Sequence, residues 1–259
     1  MRRVGIVALA LVGALSSPSH GEVRTRRVEY RDGNVTLEGY LAYDDAKTLP
    51  SPGVLVVHDW MGVGPYVERR ARELAGKGYV AFAADIYGKG VRPADAKAAG
   101  KLAGEYKADR KKLRKRAEAA LLRLRQEKNV DPKRIAAIGF CFGGTTALEL
   151  ARGGAEIRAA ASFHGNLDSP TPEDAKQIKA KLLVLHGAID PFVKPEDISA
   201  FQKEMAEAKV DYQFIAYSGA VHSFTNPEAG KDVSKGSAYD PVAEARSFKA
   251  LHAFFEEAL

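Results

Sequence analysis

The chain has a single cysteine, and the residues around it are the most chemically suggestive in the sequence. Cys141 sits in Gly139-Phe140-Cys141-Phe142-Gly143-Gly144. Before it, the apolar run 134–140 (RIAAIGF) reads as a buried strand; after it, 145–152 (TTALELAR) reads as a helix. The cysteine thus falls on a strand-to-helix turn, in a G-x-C-x-G frame. Such a turn is tight, and side chains at the flanking positions would collide with the neighbouring chain. The turn lifts the central side chain clear of the sheet. The helix starting there aims free amides and its positive dipole end at any negative charge that develops. A nucleophilic thiol suits that setting. The competing reading is a small core hydrophobe between two phenylalanines, so the rest of the chain must supply a base and an acid.

A nucleophile on such a turn orders its partners along the chain as nucleophile, acid, histidine. The six histidines are His20, His58, His164, His186, His222 and His252. His20 lies in a leader-like segment, and His58 precedes the turn. His252 lies among apolar helix neighbours, and His186 reads as a structural hydrogen-bonding residue. His164 could border a pocket, though its spacing carries no signal. His222 follows the apolar run 210–217 in a loop (SGAVHSF), which suits a base. The acid is then Asp190, the sole carboxylate of HGAIDPF at 186–192. It also has the position of a turn-former before Pro191. The histidines are scattered, and no cysteine pair or H-E-x-x-H is present. Gly62-Val63-Gly64 does not continue into a phosphate-binding loop, so neither metal nor cofactor is expected.

The elements that would position these groups follow from periodicity. Residues 23–30 and 35–43 alternate apolar and polar around Arg31-Asp32-Gly33-Asn34, which predicts an edge hairpin. Continuous apolar runs at 54–58, 80–86, 134–140, 157–164, 181–186 and 210–217 predict buried strands. Helices are predicted over 66–77, in two pieces over 93–128, and over 145–152, 195–209 and 241–257. Leu113, Ala117, Ala120, Leu121 and Leu124 form one buried stripe; Ile198, Phe201 and Met205 form a second; Val242, Ala245, Phe248 and His252 form a third. Lysines and arginines between 111 and 125 read as a solvated helix face rather than a nucleic-acid surface. Strands alternating with helices imply a mostly parallel α/β sheet with chemistry at the carboxyl ends of its strands.

The 259 residues, 46% hydrophobic and 28% charged, describe a soluble globule. A single α/β domain over 22–259 is expected. Arg2-Arg3 followed by the apolar stretch 4–15 and SSPSHG at 16–21 has the form of a cleaved signal peptide, 1–21. Its removal takes two charges from the net +6 and leaves about +4. A secreted or periplasmic protein is expected, with no stable membrane insertion after cleavage. In that compartment a lone thiol has no internal disulfide partner, so it is either buried or used.

From about Val35 onward the sequence resembles the dienelactone hydrolase family of the α/β-hydrolase fold. The likeness rests on GFCFGG around Cys141, VVHDWMG at 56–62, ADIYG at 84–88, LHG-x-x-DP at 185–191 and HSFTNP at 222–227. It implies Cys141 as nucleophile, His222 as base and Asp190 as the orienting acid. It also implies an oxyanion hole from the Phe142 and Trp60 amides, as expected for such a turn. In the family an acid, usually Glu, precedes the second amide donor and can contact the resting thiol; Asp59 holds that place here, one methylene shorter, and could instead cap its own loop. Tyr87, Lys89, Phe224 and Trp60 are expected to line the pocket. Members acting on dienelactone grip its carboxylate with two arginines, and this chain has Lys89 and Asn226 there. Lysine lacks the arginine fork, so the machinery carries over but dienelactone does not. The resemblance implies hydrolysis of a small ester or lactone through a thioester acyl-enzyme. The alternative is a non-catalytic or redox-sensing thiol on the same scaffold.

Overall fold

A computed structural model describes residues 21–47 and 49–259; the signal segment expected at 1–21 lies outside them except for Gly21. Eight strands form one sheet: β1 (Val23–Asp32), β2 (Val35–Asp44), β3 (Ser51–Val57), β4 (Val80–Ala84), β5 (Val130–Phe140), β6 (Ala159–Phe163), β7 (Lys181–Gly187) and β8 (Tyr212–Tyr217). Their order across the sheet is β1-β2-β4-β3-β5-β6-β7-β8. The β1–β2 hairpin is antiparallel and joins β4 antiparallel, whereas every pairing from β4 to β8 is parallel. Six helices cover the faces: α1 (Pro65–Ala75), α2 (Ala96–Ala108), α3 (Arg110–Arg125), α4 (Phe142–Arg152), α5 (Pro195–Glu207) and α6 (Pro241–Ala258). This is the α/β-hydrolase architecture.

Strand alternation divides the core in two. Val54 and Val56 of β3 pack with Val67, Ala71 and Leu74 of α1 and with Leu251 and Phe255 of α6. Leu55 and Val57 point the other way, into the layer holding Leu113 and Leu121 of α3, Leu148 of α4 and Phe201 of α5. Both strand faces are therefore dry, which is why these runs are continuously apolar. The register pairs Val57 with Gly139 and Gly139 with Ser162. The residues that follow β3, β5 and β6 consequently emerge together at one rim.

The predicted stripes on α3 and α5 lie on buried faces. That on α6 is only partly in phase: Phe248 packs on Phe140 and Phe163, but the buried face is Ala243, Ser247, Leu251, Phe254, Phe255 and Ala258, and Val242 is exposed. The basic run of α3 is not simply solvated. Arg116 is buried against Asp32 at 3.1 Å, and Arg114 reaches Glu149 and Asp174.

Candidate active site

Cys141 is the N-cap of α4, with φ 55° and ψ −115°, in the left-handed half of the map that a non-glycine residue rarely occupies. The flanking glycines make the turn possible. A Cβ on Gly139 would overlap the Gly143 carbonyl, and one on Gly143 would overlap the Val57 carbonyl. The Cys141 amide donates to the Phe163 carbonyl at 3.0 Å and approaches His164 Nδ1 at 3.2 Å. The thiol is half-buried.

His222 and Asp190 meet at the same rim. His222 Nδ1 lies 2.8 Å from Asp190 Oδ2, and Asp190 Oδ1 accepts the Phe192 amide at 2.9 Å. Both residues are buried. The His222 backbone bridges to a later segment: its amide donates to the Gly236 carbonyl at 3.1 Å, and its carbonyl accepts the Ala238 amide at 3.0 Å. Burial works against the charged imidazole. The negative charge of a thiolate on Cys141 and the Asp190 hydrogen bond outweigh it and push His222 up to about 10.

On the other side lies the loop after β3. Neither the Trp60 amide nor the Phe142 amide donates to a protein acceptor among the described residues. His58 and Tyr87 hold this loop from below. His58 Nδ1 lies 2.5 Å from the Asp59 carbonyl, and its Nε2 accepts the Ile86 amide at 3.2 Å. Nδ1 therefore carries the proton, and burial keeps the ring neutral, down at about 4. The Tyr87 hydroxyl donates to the Trp60 carbonyl at 3.1 Å.

Not every expected residue takes its expected place. Asp59 Oδ1 accepts the Met61 amide at 2.8 Å, so its carboxylate shapes its own loop. Burial raises that carboxyl to about 6; the Met61 hydrogen bond opposes the rise and the charge of Glu228 adds to it. Tyr87 is buried beneath the Trp60 loop with its ring against His58 and Phe142, a support rather than an open wall. Lys89 turns to the hairpin and pairs with Glu29 and Glu38. Phe224 is fully buried against Tyr217 and His164 and presents no face to solvent. His186 packs on Phe214, and its Nδ1 has no hydrogen-bond partner.

His164, which spacing could not single out, sits at the centre. It is buried, with φ 41°. Because Nδ1 accepts from Cys141, Nε2 carries the proton and donates to Thr225 Oγ1 at 2.8 Å. Thr225 in turn meets the Tyr66 hydroxyl at 2.6 Å. The His164 ring stands edge-to-face on His222 at 5.3 Å. Burial, then the charge of His222, hold it well below the ordinary histidine range, so it stays neutral. A histidine placed directly after the last residue of β6, at the carboxyl end of a buried strand, was the signal that could have pointed to it.

The dienelactone hydrolase family profile matches residues 37–259. The chain belongs to the dienelactone hydrolase family. It is 30% identical to a putative carboxymethylenebutenolidase of Aquifex aeolicus over 88% of this chain and 96% of that one. It is 34% identical to a probable 2-oxo-3-(5-oxofuran-2-ylidene)propanoate lactonase of Bradyrhizobium, over 67% of this chain and 73% of that one. Among solved structures it resembles the dienelactone hydrolase-like promiscuous phosphotriesterase P91 from metagenomic libraries, with TM-score 0.87, 42% identity, and coverage of 92% and 99%. Membership places the chain among hydrolases of esters and lactones.

Proposed function

We propose that the chain cleaves a small carboxylic ester or lactone with Cys141 as nucleophile, His222 as base and Asp190 as the group that orients it. The observation that carries this reading is the 2.8 Å contact between Asp190 and His222 Nδ1, which leaves Nε2 free to serve a thiol raised on a strained turn. The Cys141 thiolate attacks the carbonyl carbon, and the electron pair moves onto the carbonyl oxygen. The Phe142 and Trp60 amides receive that oxyanion, each contributing about 3 kcal/mol. The intermediate collapses, the alkoxide leaves with a proton from His222, and a thioester remains. Water then gives a proton to His222 and attacks the thioester. Collapse releases the carboxylic acid and restores the thiolate.

The test is turnover of 4-nitrophenyl acetate together with mass spectrometry of the quenched enzyme. An acetyl adduct on Cys141, lost in Cys141→Ala along with turnover, supports the reading. Full activity in the alanine variant overturns it. Oxidation of Cys141 without ester turnover would favour the thiol-sensor alternative. We also propose export, on the strength of Arg2-Arg3 and the apolar stretch that follows. Amino-terminal sequencing of protein expressed in a Gram-negative host tests this, with a mature end expected near residues 19–22.

A further inference from the structure

The rim of the site is apolar and its fixed charge is acidic. Trp60 is 38% exposed, Met61 38%, Ile189 54% and Phe192 53%, and all four lie on the loops that carry Asp59, the Trp60 amide and Asp190. Phe192 stands edge-to-face on His222, with ring centroids 5.4 Å apart. A hydrophobic side chain half in water costs solvation that a bound apolar group would recover. These four side chains therefore surround the point where an acyl or alkoxy group attached to the reacting carbonyl would rest.

Several cationic groups near this rim are engaged by protein acceptors. Lys89 is taken by Glu29 and Glu38. Asn226, a neutral side chain, accepts the Glu228 amide through Oδ1 at 3.1 Å. Arg92 donates to the Val63 and Val91 carbonyls at 2.6 Å each and faces Asp85 at 3.8 Å. Lys107 donates to Asn166 at 2.9 Å. Meanwhile the Asp59 carboxyl lies on the loop of the Trp60 amide, held by the Met61 amide at 2.8 Å, and the negative charge of Glu228 reaches it. An incoming carboxylate would meet two like charges and would gain no bidentate arginine.

Resting on the hydrolase reading above, we propose that the enzyme selects neutral esters with an apolar acyl or alkoxy group, and discriminates against esters and lactones that carry a free carboxylate. Trp60 and Phe192 grip the apolar group, and Asp59 and Glu228 repel the anion.

The experiment compares kcat/KM for 4-carboxyphenyl acetate with that for its methyl ester, and for 4-nitrophenyl octanoate with that for 4-nitrophenyl acetate. The methyl ester is expected to be favoured about tenfold or more at low salt, with the gap narrowing as salt screens the carboxylates. Glu228→Gln is expected to raise the carboxylate ester about threefold relative to the methyl ester. Phe192→Ala is expected to lower the octanoate about tenfold and the acetate less than threefold, a split that a general disturbance of His222 would not produce. Equal or faster turnover of the carboxylate ester overturns the charge selection, and equal losses on octanoate and acetate overturn the apolar grip. Failure to hydrolyse any of the four esters overturns the hydrolase reading itself, an outcome distinct from a reversed preference.

Discussion

The two ends of α4 carry two buried charged clusters with opposite designs. At its carboxyl end, Arg152 binds Glu204 through two nitrogens at 2.8 and 2.7 Å, Glu149 at 3.1 Å and the Leu167 carbonyl at 3.2 Å. Its donors are matched, and the residue is almost wholly enclosed. At its amino end, Cys141 is strained and half-open, and the Phe142 amide has no protein acceptor. The closed cluster satisfies its own hydrogen bonds, whereas the open one, on the proposed mechanism, leaves donors for a charge that exists only during reaction. A completed network holds the fold together; an incomplete one can stabilise a transition state.

The sharpest break of this contrast is Cys141→Ala, which should lower kcat/KM on an activated ester by at least about 10⁴-fold. Its melting temperature should barely move, as calorimetry would show, because no network is dismantled. Arg152→Ala should do the reverse. It leaves Glu149 and Glu204 buried without their partner and should cost about 3–5 kcal/mol in urea unfolding, while kcat of the folded fraction stays near that of the parent.

Between these extremes lies His164, which belongs to the fold and to the site at once. His164→Phe removes the second acceptor for the Cys141 amide, beside the Phe163 carbonyl, and the donor to Thr225. It should cut kcat by about 10–100-fold, with little change in KM, and shift the pH dependence of iodoacetamide alkylation at Cys141. His164→Gln, which keeps an acceptor, should recover part of the loss.

The smallest effects are in stability against pH. His222 is raised in the folded state from 6.5 to about 10, so its contribution is complete below pH 6.5 and drains away as pH rises through 10. Thermal scans of His222→Gln should therefore show a flatter decline across that window. Asp59 is raised from 3.8 to about 6, so the folded state resists its ionisation and stability falls as pH rises between those values. Asp59→Asn should remove that slope.

The strand-to-helix turn at Cys141 was legible because sterics leave little choice: only glycine fits at 139 and 143, and Asp190 and His222 follow it in strand order and meet at 2.8 Å. Buried strands were legible because both of their faces are covered. Other features depend on contacts between distant parts of the chain. The α6 stripe was only partly in phase: Phe248 packs on Phe140 and Phe163 of the sheet, whereas Val242 and Ala245 offer apolar surface that stays exposed. Lys89 is decided by Glu29 and Glu38 on the hairpin, and Phe224 by Tyr217 and His164, none of which local pattern reveals. His164 was missed because its role is a bond to a backbone amide, which leaves no mark in spacing.

The strapping of His222 to Gly236 and Ala238 has a further consequence. The peptide between them is a noose knotted at its base, so its contents can be rewritten without slackening the knot. Exchanging residues 227–235 for those of a relative should retune what the mouth admits while the imidazole stays where it is.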